Sequence, residues 1–153
     1  MQRLQIEIAK ASDLPSIMRL ISQPDMSPDN RLTEEEVFAF YERLRSNPWH
    51  ELYVVRQEEP EIIGTLSILG LPSFCHNGDC SLIIEDVVVK TELQGKGIGR
   101  RMMEFAIERG RELKCSKLIL SSGAKRTDAH SFYESLGFRK HGITFYLPMQ
   151  NEG

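Results

Sequence analysis

The β-branched run Val87-Val88-Val89, the glycine-rich stretch Gln94-Gly95-Lys96-Gly97-Ile98-Gly99-Arg100 and the helical spacing that follows them constrain this chain more than any other feature. A strand that feeds a glycine turn and then a helix aims several backbone N–H groups at one point, the standard way to hold an anion. The stretch predicts a phosphate cradle. Glycine serves there twice: a chain wrapping a pyrophosphate visits conformations closed to other residues, and a Cβ would block close approach of backbone to ligand.

The kind of cradle follows by exclusion. A dinucleotide fingerprint needs G-x-G-x-x-G, but counting from Gly95 the third position falls on Arg100. A P-loop needs a closing Gly-Lys-Ser/Thr, which is missing. What remains is Q-x-x-G-x-G, read as Gln94, Gly97 and Gly99, which resembles the acetyl-CoA-binding motif of the GNAT superfamily of N-acetyltransferases. Farther on, Ala129-His130-Ser131-Phe132-Tyr133-Glu134-Ser135-Leu136-Gly137-Phe138 resembles the A-x-x-F-Y-x-x-x-G-F signature at the last helix of the same superfamily. Two independent motifs in the family's order are far more specific than either alone. The resemblance spans residues 60–148.

A length of 153 residues predicts one domain, 1–153, with a substantial core. Apolar content of 41% and charged content of 27% are globular values, and a formal net charge of −3 gives no general attraction to nucleic acid or anionic lipid. No apolar run approaches the roughly 18 residues of a membrane span. Arg3, Glu7 and Lys10 interrupt the N-terminal stretch, so no signal peptide is read there and a cytoplasmic protein is expected. Cys75, Cys80 and Cys115 are an odd number without the density of a disulfide scaffold. Cys75-His76 with Cys80 is a loose metal-like cluster, but no second half of a zinc site follows, so no metal is expected.

The elements follow from periodicity. Residues 3–8 alternate as a half-buried strand, and Ser12 is the expected cap of a helix with Leu14, Ile17, Met18 and Ile21 on one face. Thr33-Glu34-Glu35-Glu36 is a capping box that opens a helix burying Val37, Phe40, Tyr41 and Leu44. Residues 52–56 and 62–69 read as a hairpin about the polar turn 57–60, and a strand over 80–89 leads into the cradle. Ile98, Met102, Phe105, Ala106, Arg109 and Leu113 follow helical spacing, with only the stem of Arg109 buried. A short strand over 117–120 comes next, then a helix capped by Thr127 and ended by Gly137, then closing strands over 138–140 and 144–147. This is an α/β (α+β) order: a mixed, mostly antiparallel sheet with helices on both faces, which matches the GNAT acyl-CoA N-acyltransferase fold.

Acetyl transfer from a thioester to an amine needs a deprotonated amine, a polarised carbonyl and a proton for the departing thiolate. Glu85 and Asp86 stand side by side in an apolar strand, and alternation sends them to opposite faces. Apolar flanks should desolvate such a carboxylate and raise its pKa toward the range of a general base; Arg or Lys partners would instead satisfy it. The string I-E-D-V-V-V resembles the equivalent strand of glucosamine-6-phosphate N-acetyltransferases, which implies an amine-positioning role for Glu85 and Asp86, with Glu85 preferred as base. By the same resemblance Val87, Val88 and Val89 border the acetyl and pantetheine arm, Val87 and Val89 through main chain, and Tyr133 donates a proton to the coenzyme sulfur. Lys96, Arg100 and Arg101 can supplement the cradle at the coenzyme's phosphates.

One position departs from the family. Seven residues before Tyr133, where many members carry a coenzyme-contacting asparagine, this chain has Arg126. The stretch Lys125-Arg126-Thr127-Asp128-Ala129-His130 instead resembles aminoalkylphosphonate N-acetyltransferases, whose acceptors carry an anion. The positive site therefore serves either the coenzyme or the acceptor. His130 is either a proton shuttle or a surface residue. The expected activity is acetyl-CoA-dependent N-acetylation of a small primary amine by direct attack in a ternary complex, in a homodimer. A protein lysine or N-terminal acetyltransferase and a non-catalytic acyl-CoA-binding module are the alternatives.

Overall fold

The computed structural model describes residues 3–58 and 60–150, which fall into two compact units that divide between Ser121 and Ser122. The first unit runs β1 (Gln5–Ile8), α1 (Leu14–Ile21), α2 (Glu34–Arg45), β2 (His50–Arg56), β3 (Ile62–Pro72), β4 (Cys80–Val89), α3 (Ile98–Glu112) and β5 (Lys117–Ile119). Its strands form one sheet in that numerical order, antiparallel except for the parallel pair β4–β5. The turn expected over 57–60 includes Glu59, which lies outside the described residues.

Strand alternation sorts the core. Along β2, Val54 faces α1 and α2, where Leu14, Ile17, Leu20 and Tyr41 cluster with Ile62 and Val88. Its neighbour Tyr53 faces the other way and meets Phe105 of α3 edge-on at 4.8 Å. Helices thus cover both faces, as the pattern predicts. The α3 layer sits close because glycines line it: a Cβ on Gly64 would come 3.2 Å from Met102 Sδ, and one on Gly110 would come 2.8 Å from Leu118 Cδ1. Leu66, Leu82, Met102 and Met103 are fully buried, each stabilising by about 1.5–3 kcal/mol.

Helix entries show where local chemistry differs from the expectation. Asp13, not Ser12, stands at the cap position of α1 and makes no side-chain bond into that helix; its carboxylate closes the preceding turn, Oδ2 accepting from the Lys10 N–H at 2.8 Å, while Oδ1 pairs with the buried Arg56 guanidinium at 2.6 Å. The ion pair holds Asp13 in that place. The capping box at α2 forms as predicted, with Thr33 N–H on Glu36 Oε2 at 2.8 Å and Glu36 N–H on Thr33 Oγ1 at 3.2 Å. Tyr41 is buried with its hydroxyl on the Ala9 carbonyl, but Phe40 is 53% exposed, because α2 meets the sheet along a narrower stripe than its apolar content suggests. Arg109 does more than bury its stem. Its guanidinium grips both oxygens of Glu51 at 2.9 and 2.6 Å, and Tyr53 donates to the same carboxylate, which holds Glu51 below the usual carboxylate range.

The second unit contains α4 (Thr127–Ser135). Thr127 is the first helical residue and Arg126 the cap position, without a side-chain capping bond. The helix ends in a Schellman motif: Phe138 N–H reaches the Tyr133 carbonyl at 3.1 Å, Gly137 N–H reaches Glu134 at 3.0 Å, and Gly137 sits at φ +96°. The Phe138 ring folds back on Tyr133 with ring centres 6.0 Å apart. The G-F pair of the signature is therefore the lock at the end of α4. The closing strands expected over 138–140 and 144–147 do not form among the described residues. A strand exists only by pairing, this unit holds no ladder partner of its own, and Phe145 and Leu147 stay 93% and 78% exposed.

Candidate active site

β5 pairs with β4 only through Ser81, Leu82 and Ile83. From Ile84 onward, no strand lies on that side of β4 among the described residues, so an extended edge of backbone stands open there. The open edge runs directly toward the cradle. Its last carbonyl, on Val89, is held by two side-chain amides, Gln23 Nε2 at 3.2 Å and Gln94 Nε2 at 3.1 Å. Gln94 also donates to Asp25 Oδ2 at 2.9 Å. The motif glutamine thus braces the strand end against the loop after α1.

The two glycines ahead of α3 need their special backbone: Gly95 has φ +75° and Gly97, the cap residue, φ +82°. A Cβ on either would meet nothing within 4 Å, so the space outside the turn is clear. Helix geometry gives the N–H groups of Ile98 and Gly99 no acceptor within α3, Gly97 offers no capping side chain, and no acidic residue occupies the first turn. Lys96, Arg100 and Arg101 add positive charge at the same end. The arrangement can receive a polyanion.

Glu85 and Asp86 depart from the expected alternation. The β3–β4 register slips between Thr65 and Ser67, pairing Ser67 with Glu85 but Thr65 with Val88, so β4 carries an extra residue. Asp86 takes up the irregularity at φ +51°. The bulge reverses the phase: Leu82 faces Gly110 of α3, whereas Val88 packs in the α1 cluster. Both carboxylates are exposed despite their apolar flanks. Beside them lies a pair that the periodicity did not single out. His50 Nε2 is 2.5 Å from Ser67 Oγ, the residue opposite Glu85, and burial lowers the affinity of that ring for protons while the Asp86 charge raises it. A serine inside the apolar run of β3 was the available signal.

Tyr133 and Arg126 belong to the second unit. Burial pushes the Tyr133 phenol up, against a smaller lowering by the Arg126 charge. His130 closes its own loop, with Nε2 2.9 Å from the Gly123 carbonyl, which makes it a structural tie. Cys75, His76 and Cys80 do not gather: among the described residues no three His, Cys, Asp or Glu side chains form a metal-sized group. A cavity of about 320 Å³ lies between α2 and β1–β2, lined by Ile8, Tyr41, Leu44 and Leu52 with Arg45, His50 and Glu51, and none of the cradle residues borders it.

The profile of the Acetyltransferase (GNAT) family matches residues 14–138. The chain belongs to the GNAT family. Among its relatives, glucosamine 6-phosphate N-acetyltransferase of Trypanosoma brucei brucei is 30% identical over 138 residues, covering 90% of each chain. Aminoalkylphosphonate N-acetyltransferase of Salmonella typhimurium is 29% identical over 85 residues, 56% of this chain and 54% of that one. The crystal structure of glucosamine-6-phosphate N-acetyltransferase from Arabidopsis thaliana superposes with a TM-score of 0.81 at 27% identity, covering 97% of this chain and 99% of that one. In this GNAT acetyltransferase the open edge, the carboxylates and the cradle follow one another along a single stretch, β4 to α3. No helix among the described residues is long and apolar enough to cross a membrane.

Proposed function

We propose that this GNAT protein transfers an acetyl group from acetyl-CoA to the primary amine of a small acceptor that carries a phosphate-type anion. The carrying observation is the open half of β4 running into an uncapped, acid-free helix N-terminus. One stretch of chain thereby offers main-chain hydrogen bonds to an extended acyl arm and N–H groups to a pyrophosphate. Val87, Val88 and Val89 border the arm. Residues 94–100 take the pyrophosphate, with the Gln94 side chain bracing the turn.

The reaction is direct attack in a ternary complex. Glu85 takes a proton from the acceptor ammonium, directly or through water, and Asp86 beside it helps hold the ammonium. The freed amine forms the N–C bond, and a main-chain N–H of the open β4 edge stabilises the oxyanion. The C–S bond then breaks, the thiolate takes the phenolic proton of Tyr133, and the proton still carried by the new amide nitrogen returns through water to the phenolate. Burial holds the Tyr133 phenol above its ordinary range, so it carries its proton when the thiolate departs.

The acceptor anion is assigned to Lys125 and Arg126, both exposed immediately before α4. Relatives named for glucosamine 6-phosphate and for aminoalkylphosphonates support that assignment, since both substrates join an amine to a phosphorus oxyanion. We place the protein in the cytoplasm as a homodimer. The test is thiol release from acetyl-CoA with glucosamine 6-phosphate, 2-aminoethylphosphonate, glucosamine and lysine peptides. Release with the anionic amines above the neutral one is expected. Release with peptides alone would make it a protein acetyltransferase, and coenzyme binding without release would make it an acyl-CoA-binding module.

A further inference from the structure

Two cysteines far apart in sequence are brought together at the start of β4. Cys80 opens that strand, and Cys115 follows α3. The approach is built from both sides. α3 ends in its own Schellman motif, with Lys114 at φ +57°, Lys114 N–H on the Arg111 carbonyl at 3.0 Å and Cys115 N–H on the Gly110 carbonyl at 2.9 Å. The next residue donates back to β4, Ser116 N–H to the Cys80 carbonyl at 2.9 Å, and the parallel ladder begins at Ser81 and Lys117. Asp79 clamps the same point, accepting from Cys80 N–H at 2.7 Å and from the Ser116 hydroxyl.

Held this way, the two sulfurs stand 2.8 Å apart, both half-buried. That is closer than unbonded sulfurs rest, and a bond of about 2.05 Å needs only a small side-chain movement. Cys75, the third cysteine, is exposed on the β3–β4 loop. We propose that Cys80 and Cys115 form a reversible dithiol–disulfide site that, when oxidised by a peroxide, closes β4, the cradle and α3 into one covalent loop. The cross-link encloses the stretch assigned above to the coenzyme, yet its chemistry is independent of that assignment.

The chemistry balances with one peroxide. The Cys80 thiolate attacks a peroxide oxygen, the O–O bond breaks, and water leaves with a sulfenic acid on Cys80. The Cys115 thiol then attacks that sulfur, the S–S bond forms, and a second water leaves. The two sulfurs lose two electrons and two protons, which the peroxide takes up. Burial and the neighbouring Cys80 push the Cys115 thiol up to about 12, which places Cys115 in the resolving position. The reaction is accordingly slow and selective, a response to sustained peroxide.

The test treats the full chain with hydrogen peroxide, alkylates the remaining thiols and maps peptides with and without reductant. A Cys80–Cys115 linked peptide that has lost two hydrogens is expected, together with a rise in Tm on the order of 10 °C that dithiothreitol reverses. Cys75→Ser keeps both effects, and Cys80→Ser and Cys115→Ser each abolish them. Full alkylation of Cys80 and Cys115 after peroxide, or a linkage through Cys75, would overturn the proposal.

Discussion

The surroundings of Tyr133, the acid proposed for the departing thiolate, are set by the way α4 ends. The Schellman turn folds Phe138 onto its ring, and Phe132 lies on it at 5.3 Å, so the phenol is desolvated while its hydroxyl keeps its proton. Tyr133→Phe should lower kcat by about 10²–10⁴-fold and leave the acetyl-CoA Kd nearly unchanged, read by steady-state kinetics beside calorimetry. A fall in kcat of less than about threefold with chemistry rate-limiting would leave the residue a packing role. Glu85, the proposed base, stands in the opposite condition, exposed on the bulge of β4. Glu85→Gln should depress the rate near neutral pH and regain part of it at high pH, where free amine accumulates. An unaltered pH–rate profile would pass the proton to Asp86 or to solvent. For Arg126→Ala the split matters more than the size: KM for an anionic acceptor should rise while acetyl-CoA affinity holds. If only the acetyl-CoA constant moves, the guanidinium belongs to the coenzyme.

Elements differ in how openly the sequence declares them. The Thr33 capping box, the Gly137 stop and the strand over 80–89 are local chemistry, legible because each needs only its near neighbours in the chain. Asp13 was not legible as the residue at the cap position of α1, because what holds its carboxylate is Arg56, a partner 43 residues away that no local pattern names. The bulge in β4 was hidden for a similar reason, since an extra residue shows only against the register of β3, and with it the placement of Glu85 and Asp86 was lost. The closing strands failed because alternation supplies an amphipathic face and not a partner edge. The Asp13–Arg56 pair gives this scale its prediction. Both side chains are almost fully buried, so Asp13→Ala takes the buried carboxylate from the Arg56 guanidinium and uncaps Lys10 N–H together. Unfolding in urea should show a loss of about 3 kcal/mol, against about 1 kcal/mol for Thr33→Ala at the exposed start of α2. Equal losses would mean that Glu7, which also pairs with Arg56 at 3.0 Å, suffices to hold it.

At the scale of the whole molecule, the sheet supplies a scaffold on which one strand is half paired and half open. β5 covers β4 as far as Ile83, the bulge follows within two residues, and the cradle completes the stretch before α3 begins. The positive charges at the head of α3 stand out against a net charge of −3, so an anion is drawn to that place and not to the surface at large. The cavity beside α2 offers a different location for a ligand. Hydrogen–deuterium exchange with and without acetyl-CoA decides between them. Slowed exchange is expected at the amides of residues 85–89 and 97–101, with little change around Tyr41, Leu44 and Leu52. Protection confined to the α2 cavity, or none in the β4 edge and the first turn of α3 under saturating acetyl-CoA, would contradict it.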